Sequence, residues 1–402
     1  MKKYILSLCA VAAIVMAGCD KGTEFNDNVF VTGALDSQNI RFNIDGQSTM
    51  ALTVTSSIKA ESDINVQMRP APELLDAYNR KTGRQYQMPP EDAYSIEDGN
   101  VVIKSGSNMS TQMILHADSE ALKEGVGYCL PVTISGADGG LVPMESARTV
   151  YILFTKVISI KVANLGRSGG YDIKGFWKSV NENTPVEALQ QMTLEMKVFP
   201  LSFGSNPRNG NDISSLCGCE ENFLFRFGDG AGNPTNKLQL AKGAIGADSH
   251  PNKKDHYDTW AEELFPTGRW LHFAAVYDGK YLRIYLDGRQ IHFVETKNGG
   301  TINLSMAYNG HDWSDGFTIG RSAGNGRNFN GYISECRVWN VARTLDQLNN
   351  GICYVDPDSE GLVAYWRFDH EENGTVRDET GHGYDATRFG SVTYVDGQKC
   401  PY

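Results

Sequence analysis

The sequence predicts an all-β protein built from two successive sandwiches. Short runs of alternating apolar and polar residues recur along most of the chain, Asp-Gly pairs sit where tight hairpins need positive φ, and long amphipathic helices are scarce. The stretch GRWLHFAAVYDGKYLRIYLDGRQIHF, Gly268 to Phe293, is the clearest case. Leu271, Phe273 and Ala275 alternate with His272 and Ala274. After Asp278-Gly279, Leu282, Ile284 and Leu286 alternate with Tyr281, Arg283 and Tyr285. A sheet with one apolar face needs a second sheet to cover it, so a sandwich follows.

In chain order, Lys2 and Lys3 precede an apolar run from Tyr4 to Met16, which closes on Met16-Ala17-Gly18-Cys19. The run is too short to span a bilayer well. Its ending resembles the lipobox of bacterial lipoproteins. The resemblance implies a signal peptide over 1–18, acylation of Cys19, and anchoring in outer-membrane lipid, with the protein facing the cell surface. Several acyl chains anchor stably where one is marginal. Residues 19–28 are polar and read as a tether.

The chain has 402 residues and a formal net charge of −11, with its 37 basic residues scattered rather than clustered, which excludes a nucleic-acid binder. Besides Cys9 and Cys19 there are Cys129, Cys217, Cys219, Cys336, Cys353 and Cys400, too few for a disulfide scaffold in so long a chain. Cys353 and Cys400 bracket the last segment and are a candidate pair. Cys217-Gly218-Cys219 lacks a second Cys or His pair at zinc spacing and reads as structural.

Residues 29–156 alternate strand-like runs with loops: NIRFNID, MALTVTSS, DINVQMRP, NVVIKSG, TQMILHAD, YCLPVTIS and RTVYILFT. One helix, Ala71 to Gly83, interrupts them, with Leu74, Leu75 and Tyr78 on one face and Gly83 as its stop. Seven short strands at this spacing predict an immunoglobulin-like β-sandwich. The blocks YNRKTGRQYQMPPEDAYSIEDGNVVIKSG and GVGYCLPVTISGADG resemble the N-terminal β-sandwich domain, of unknown function, of Bacteroidota surface glycan-processing lipoproteins. That resemblance implies an accessory role. The Gly/Ser-rich end of KVISIKVANLGRSGG predicts a linker over 157–169.

From 170 to 402 the order of segments resembles the laminin-G-like, concanavalin A-like jelly roll. The resemblance rests on the hairpin above, on DGFTIGRS, on FNGYISECRVWNVARTLDQL, and on GLVAYWRFDHEENGTVRDETGHGYDAT. It implies that the Tyr365-Trp366 block completes a sheet as a terminal strand.

Jelly-roll glucanases carry Glu-x-Asp-x-x-Glu on one strand, because alternation then points all three carboxyls into one cleft. No such run occurs, nor a Gly-x-Ser-x-Gly elbow, nor a phosphate loop. The expectation is therefore a non-catalytic protein. Sugar binding needs only an aromatic face and polar groups around it. Trp177, Trp270, Trp339 and Trp366 lie in strand-like runs and read as core. Trp260 and Trp313 lie in polar segments that read as surface loops. Trp313 has Tyr308, Asn309, His311, Asp312 and Asp315 around it, and RSAGNGRNFNG adds Arg321, Asn325, Arg327 and Asn328. Structural Ca2+ would be held by Asp369, Asp378 and Asp385, or by Asp229. The function expected is capture of a glycan ligand, handed on to a glycan-uptake transporter or glycosidase partners. A protein-binding adhesion module and a glycoside hydrolase are the alternatives.

Overall fold

The computed structural model describes residues 27–204, 213–220, 222–228, 234–242, 259–296, 300–305, 316–322 and 327–400. Cys19 lies outside them. The chain separates into two compact units. The second comprises residues 43–46, 122–127 and everything from Thr155 onward, and the first holds the remainder.

The first unit is a β-sandwich of immunoglobulin-like type. Its largest sheet runs Asn39–Ile44, Thr149–Lys156, Tyr128–Ala137, Ile64–Pro70, Asn100–Ile103. A second sheet, Gln47–Leu52, Met113–Asp118, Tyr94–Glu97, and a small third one complete it. Alternation decides the packing: Val66, Met68, Leu115 and Ile152 are buried while their chain neighbours are not. The helix forms as Leu75–Thr82 after a short 3-10 turn, with Leu75 and Tyr78 buried and Gly83 in the left-handed conformation at its end.

The second unit stacks two eight-stranded antiparallel sheets around one apolar core. The hairpin sheet runs Arg289–Glu295, Tyr281–Leu286, Leu271–Tyr277, Met192–Ser202, Asn330–Trp339, Ile158–Asn164, Thr393–Cys400, with Leu362–Trp366 joined off this path to Asn330–Trp339 as the eighth strand. The polar sheet runs Thr259–Leu264, Lys237–Lys242, Phe223–Phe227, Ser214–Cys219, Thr318–Ile319, Gly170–Asp172, Ala386–Phe389, Thr375–Val376. Leu194, Met196, Phe273 and Ile284 from the first sheet meet Phe223, Phe225, Phe227 and Leu240 from the second.

Three expectations change here. The stretch expected as a linker contains the strand Ile158–Asn164, paired on both sides with Asn330–Trp339 and Thr393–Cys400. Its glycines have structural reasons: a Cβ at Gly169 would stand 2.3 Å from the Ser391 carbonyl oxygen, and Gly166 takes a left-handed φ of 53°. The Tyr365-Trp366 block is not the terminal strand. Leu362–Trp366 pairs with Cys336–Trp339, whereas Ala163 and Asn164 pair with Ile333 and Tyr332 of the same long strand. Partners change at Glu335, whose φ of 54° breaks the extended run, and the sheet edge is Thr393–Cys400. Trp177 is half-buried outside any strand and donates from Nε1 to the Phe317 carbonyl, whereas Trp270, Trp339 and Trp366 are core.

The outer face of the hairpin sheet is covered by residues 340–355, which include the helix Leu345–Asn350 with its Thr344/Gln347 capping box. A disulfide joins Cys353 to Cys400, as the sequence suggested. Beneath lies Lys197, fully buried, its Nζ 2.6 Å from Cys400 Sγ and 5.1 Å from the Trp270 ring centre. Burial pushes its ammonium down to about 8, against the opposing pull of Glu335. The folded state therefore holds fewer protons than the unfolded between pH 8 and the ordinary lysine value. Stability should rise across that window, and below it the burial cost is fully present. Lys197→Met is expected to raise neutral-pH stability by up to about 3 kcal/mol and to abolish that alkaline rise. Thermal melts at pH 7 to 10 measure both effects; a variant that keeps the rise would assign it to another group.

Candidate functional site

Along Phe223–Phe227 the phenylalanines take the core side, which leaves Arg226 on the opposite face; Leu238 and Leu240 leave Gln239 there by the same alternation. The register aligns Ser215, Arg226, Gln239 and Trp260 in one cross-strand row. In the neighbouring strands Tyr171 and Ile319 go to the core, and Asp172 and Thr318 face away from it.

A sheet face turned from the core is ordinarily wet, yet Arg226 is only 6% exposed, Gln239 0% and Glu220 2%. Burial of polar groups at this density is tolerable only with partners. Arg226 donates from Nε to Gln239 Oε1 and lies 3.5 Å from Glu220 Oε1. Arg327 donates to the same Glu220 oxygen. The Ser215 and Ser322 hydroxyls are 2.6 Å apart. Arg321 donates from Nε and Nη2 to the one oxygen Asp172 Oδ1, at 2.8 and 2.6 Å, and lies over the Phe389 ring at 4.3 Å. Asn328, bridged through its backbone to Ser215, donates from its amide to the Arg167 carbonyl. Among the described residues, Glu220 Oε2 and Asn328 Oδ1 have no hydrogen-bond partner. The arrangement is a fixed set of donors with two idle acceptors, suited to hydroxyl groups.

Of the residues expected at the site, Arg321, Arg327 and Asn328 belong to this surface. Trp313, Tyr308, His311, Asp312, Asp315, Asn309 and Asn325 lie outside the described residues. Trp260 stands in the strand Thr259–Leu264 rather than in a loop, because its backbone pairs with Gln239. Glu220, Arg226, Gln239 and Ser215 were missed. The available signal was a single Arg within FLFRF and a single Gln within KLQLA, each at the position that alternation turns outward.

The expected metal ligands are otherwise engaged. Asp378 is a buried turn organiser, accepting from the backbone N–H groups of Tyr365, Thr380 and Tyr384 and from the Thr380 hydroxyl. Asp385 accepts from the Asp378 N–H, and Asp369 pairs with Arg367 at 3.1 Å. Among the described residues no cluster of His, Cys, Asp or Glu could hold a metal ion; Asp229 lies outside them.

The other collection of charge, on the covered face of the hairpin sheet, centres on Glu195. It accepts from Trp339 Nε1 at 2.7 Å and Arg343 at 2.6 Å, lies 3.0 Å from His272 Nε2, and has Arg337 at 3.6 Å. Burial raises its pKa, but Arg343 and Arg337 prevail and hold it well below the usual carboxylate range. A carboxylate so held stays ionised and has no proton to donate.

Residues 25–141 match a family model described as an N-terminal domain, and residues 182–349 match a laminin G model described as the concanavalin A-like lectin/glucanases superfamily. A solved Bacteroides ovatus structure, described as that of a "putative carbohydrate binding protein", is 25% identical, with a TM-score of 0.52 over 92% of this chain and 98% of its own. Pappalysin-1 of Mus musculus is 33% identical over 88 residues, which make up 22% of this chain but only 5% of pappalysin-1. Human pappalysin-1 is 32% identical over a stretch of the same length. The second unit is a concanavalin A-like, laminin-G-like sandwich.

Proposed function

We propose that this protein captures glycan without cleaving it, through the outer face of the polar sheet. The observation that carries the reading is the withdrawn set of Arg226, Gln239, Glu220 and Asn328, whose idle acceptors match ligand hydroxyls. The likeness to the Bacteroides ovatus protein supports it. Among the described residues, carboxylates near the covered face are locked by arginines, which supports a binding rather than a hydrolytic role. Anchoring through Cys19 in the outer membrane would hold the first unit as a spacer, and the glycan would pass to a transporter or glycosidase.

Glu220→Gln keeps the shape of the side chain but removes its charge. Loss of one charge-assisted hydrogen bond should weaken binding roughly 10- to 100-fold; because Arg226 and Arg327 lose the charge they pair with, the melting temperature falls as well, so binding is compared at a temperature where the variant is folded. Calorimetry on the glycans retained in an array screen measures the loss. Undiminished affinity in both Glu220→Gln and Asn328→Ala would overturn this placement of the site, and retention of protein ligands alone would favour an adhesion module.

A further inference from the structure

The hairpin sheet ends in the arm Tyr281–Leu286 and Arg289–Glu295, turned at Asp287-Gly288. Leu282, Ile284 and Leu286 take the core side, so Tyr281 and Arg283 face outward. The register sets Arg283 opposite Phe293 and Tyr281 opposite Glu295. The Tyr281 and Phe293 rings stack at 5.1 Å between centres with 25° between planes. Phe293 is 48% exposed, the only exposed aromatic among the described side chains.

A cross-strand aromatic pair stabilises a sheet edge by itself, but this pair also has a built rim. The Arg283 guanidinium stands 5.3 Å from the Tyr281 ring centre and 5.7 Å from that of Phe293, and Lys280 Nζ stands 4.6 Å from Tyr281. Both cations are matched: Arg283 pairs with Asp278 at 2.6 Å and Lys280 with Glu295 at 3.2 Å. The rim thus holds donors and acceptors with no net charge, whereas a nucleic acid or an anionic polymer needs an excess of positive charge. Two rings are also far smaller than the several hundred Å² that mark a protein-docking patch. They match the flat C–H face of a pyranose, whose hydroxyls would meet the ion pairs at the edge.

We propose that this arm is a second glycan contact, a stacking platform for an uncharged pyranose of a polysaccharide. It lies on the sheet opposite the polar one, so the two surfaces face away from each other. A short oligosaccharide can occupy only one of them, while a long or insoluble chain can engage both and gain avidity. The proposal stands on its own geometry and does not depend on the polar-sheet site.

The test applies the full chain, Phe293→Ala, Phe293→Tyr and Glu220→Gln to an array of neutral and acidic glycans and to insoluble cellulose, chitin and mannan. Phe293→Ala should lose about tenfold in retention on uncharged glycans, in line with the strength of one aromatic contact, and Phe293→Tyr should restore it. Its melting temperature should fall by only a few degrees, since the ring is half in solvent and a cross-strand pair contributes modestly. Equal retention by Phe293→Ala, or no uncharged glycan held by the parent, overturns the platform. Loss confined to Glu220→Gln overturns it while leaving the polar-sheet site standing.

Discussion

Glu195→Ala is expected to destabilise the second unit by about 3–5 kcal/mol, since removing one partner of a buried ionic cluster leaves the others uncompensated. Glu195 is fully buried and joins three strands to the covering segment. It accepts from Trp339 Nε1 and Arg343, and it faces His272 and Arg337. Without it, the wholly buried Arg337 keeps Glu335 and the Gly351 carbonyl, but Arg343 loses the carboxylate that it pairs with. Urea denaturation followed by tryptophan emission checks this, with Glu263→Ala as the control. Glu263 pairs with Arg289 at the surface of the same unit, and its loss should move stability by less than about 1 kcal/mol. A deficit for Glu195→Ala no larger than the control's would mean that the cluster contributes nothing to stability.

Replacing Cys353 and Cys400 together by serine is expected to cost about 2–5 kcal/mol. The bond closes a loop with a sequence separation of 47 residues, for which the chain-entropy account gives about 4 kcal/mol. It pins the covering segment to the edge strand Thr393–Cys400, over a small cluster formed by Ile160, Val162, Trp270 and Ile352. Its loss should loosen the lid above Lys197 as well as lengthen the unfolded chain. Denaturation with and without a thiol reductant measures the effect, and the double serine variant should be insensitive to the reductant. The described free thiols, Cys129, Cys217, Cys219 and Cys336, are all buried, so in the folded protein the reductant reads the one bond. A cost below about 1 kcal/mol would indicate that the covering segment is held by its packing alone.

Strands were legible where one face is dry and the other wet. Ile64–Pro70 and Met113–Asp118 have strictly alternating burial, and Tyr281–Leu286 does as well. The strands that escaped lack that contrast. Ser214–Cys219 is buried at every position, and Gly170–Asp172 is only three residues long. Ile158–Asn164 does alternate, but the adjoining Gly166, Gly169 and Gly170 gave it the look of a linker. Of the candidate site, Arg321, Arg327 and Asn328 were found because they stand in a polar run. Arg226 and Gln239 stand among phenylalanines and leucines, where local composition says core.

By itself the sequence determined the all-β class, the hairpin at Asp278-Gly279 and the helix stop at Gly83, because backbone periodicity and turn chemistry are local properties; Cys353 and Cys400 it offered only as a candidate pair, which the tertiary structure closed. Only the tertiary structure decided that Arg226, Gln239, Glu220 and Asn328 form one withdrawn surface, and that Glu195 lies under a lid rather than in a cleft. Those facts depend on register between strands far apart in sequence, such as Glu195 opposite Arg337, and on which sheet face a distant segment happens to cover. Alternation states that a residue points away from its neighbour; it does not state what lies on the other side.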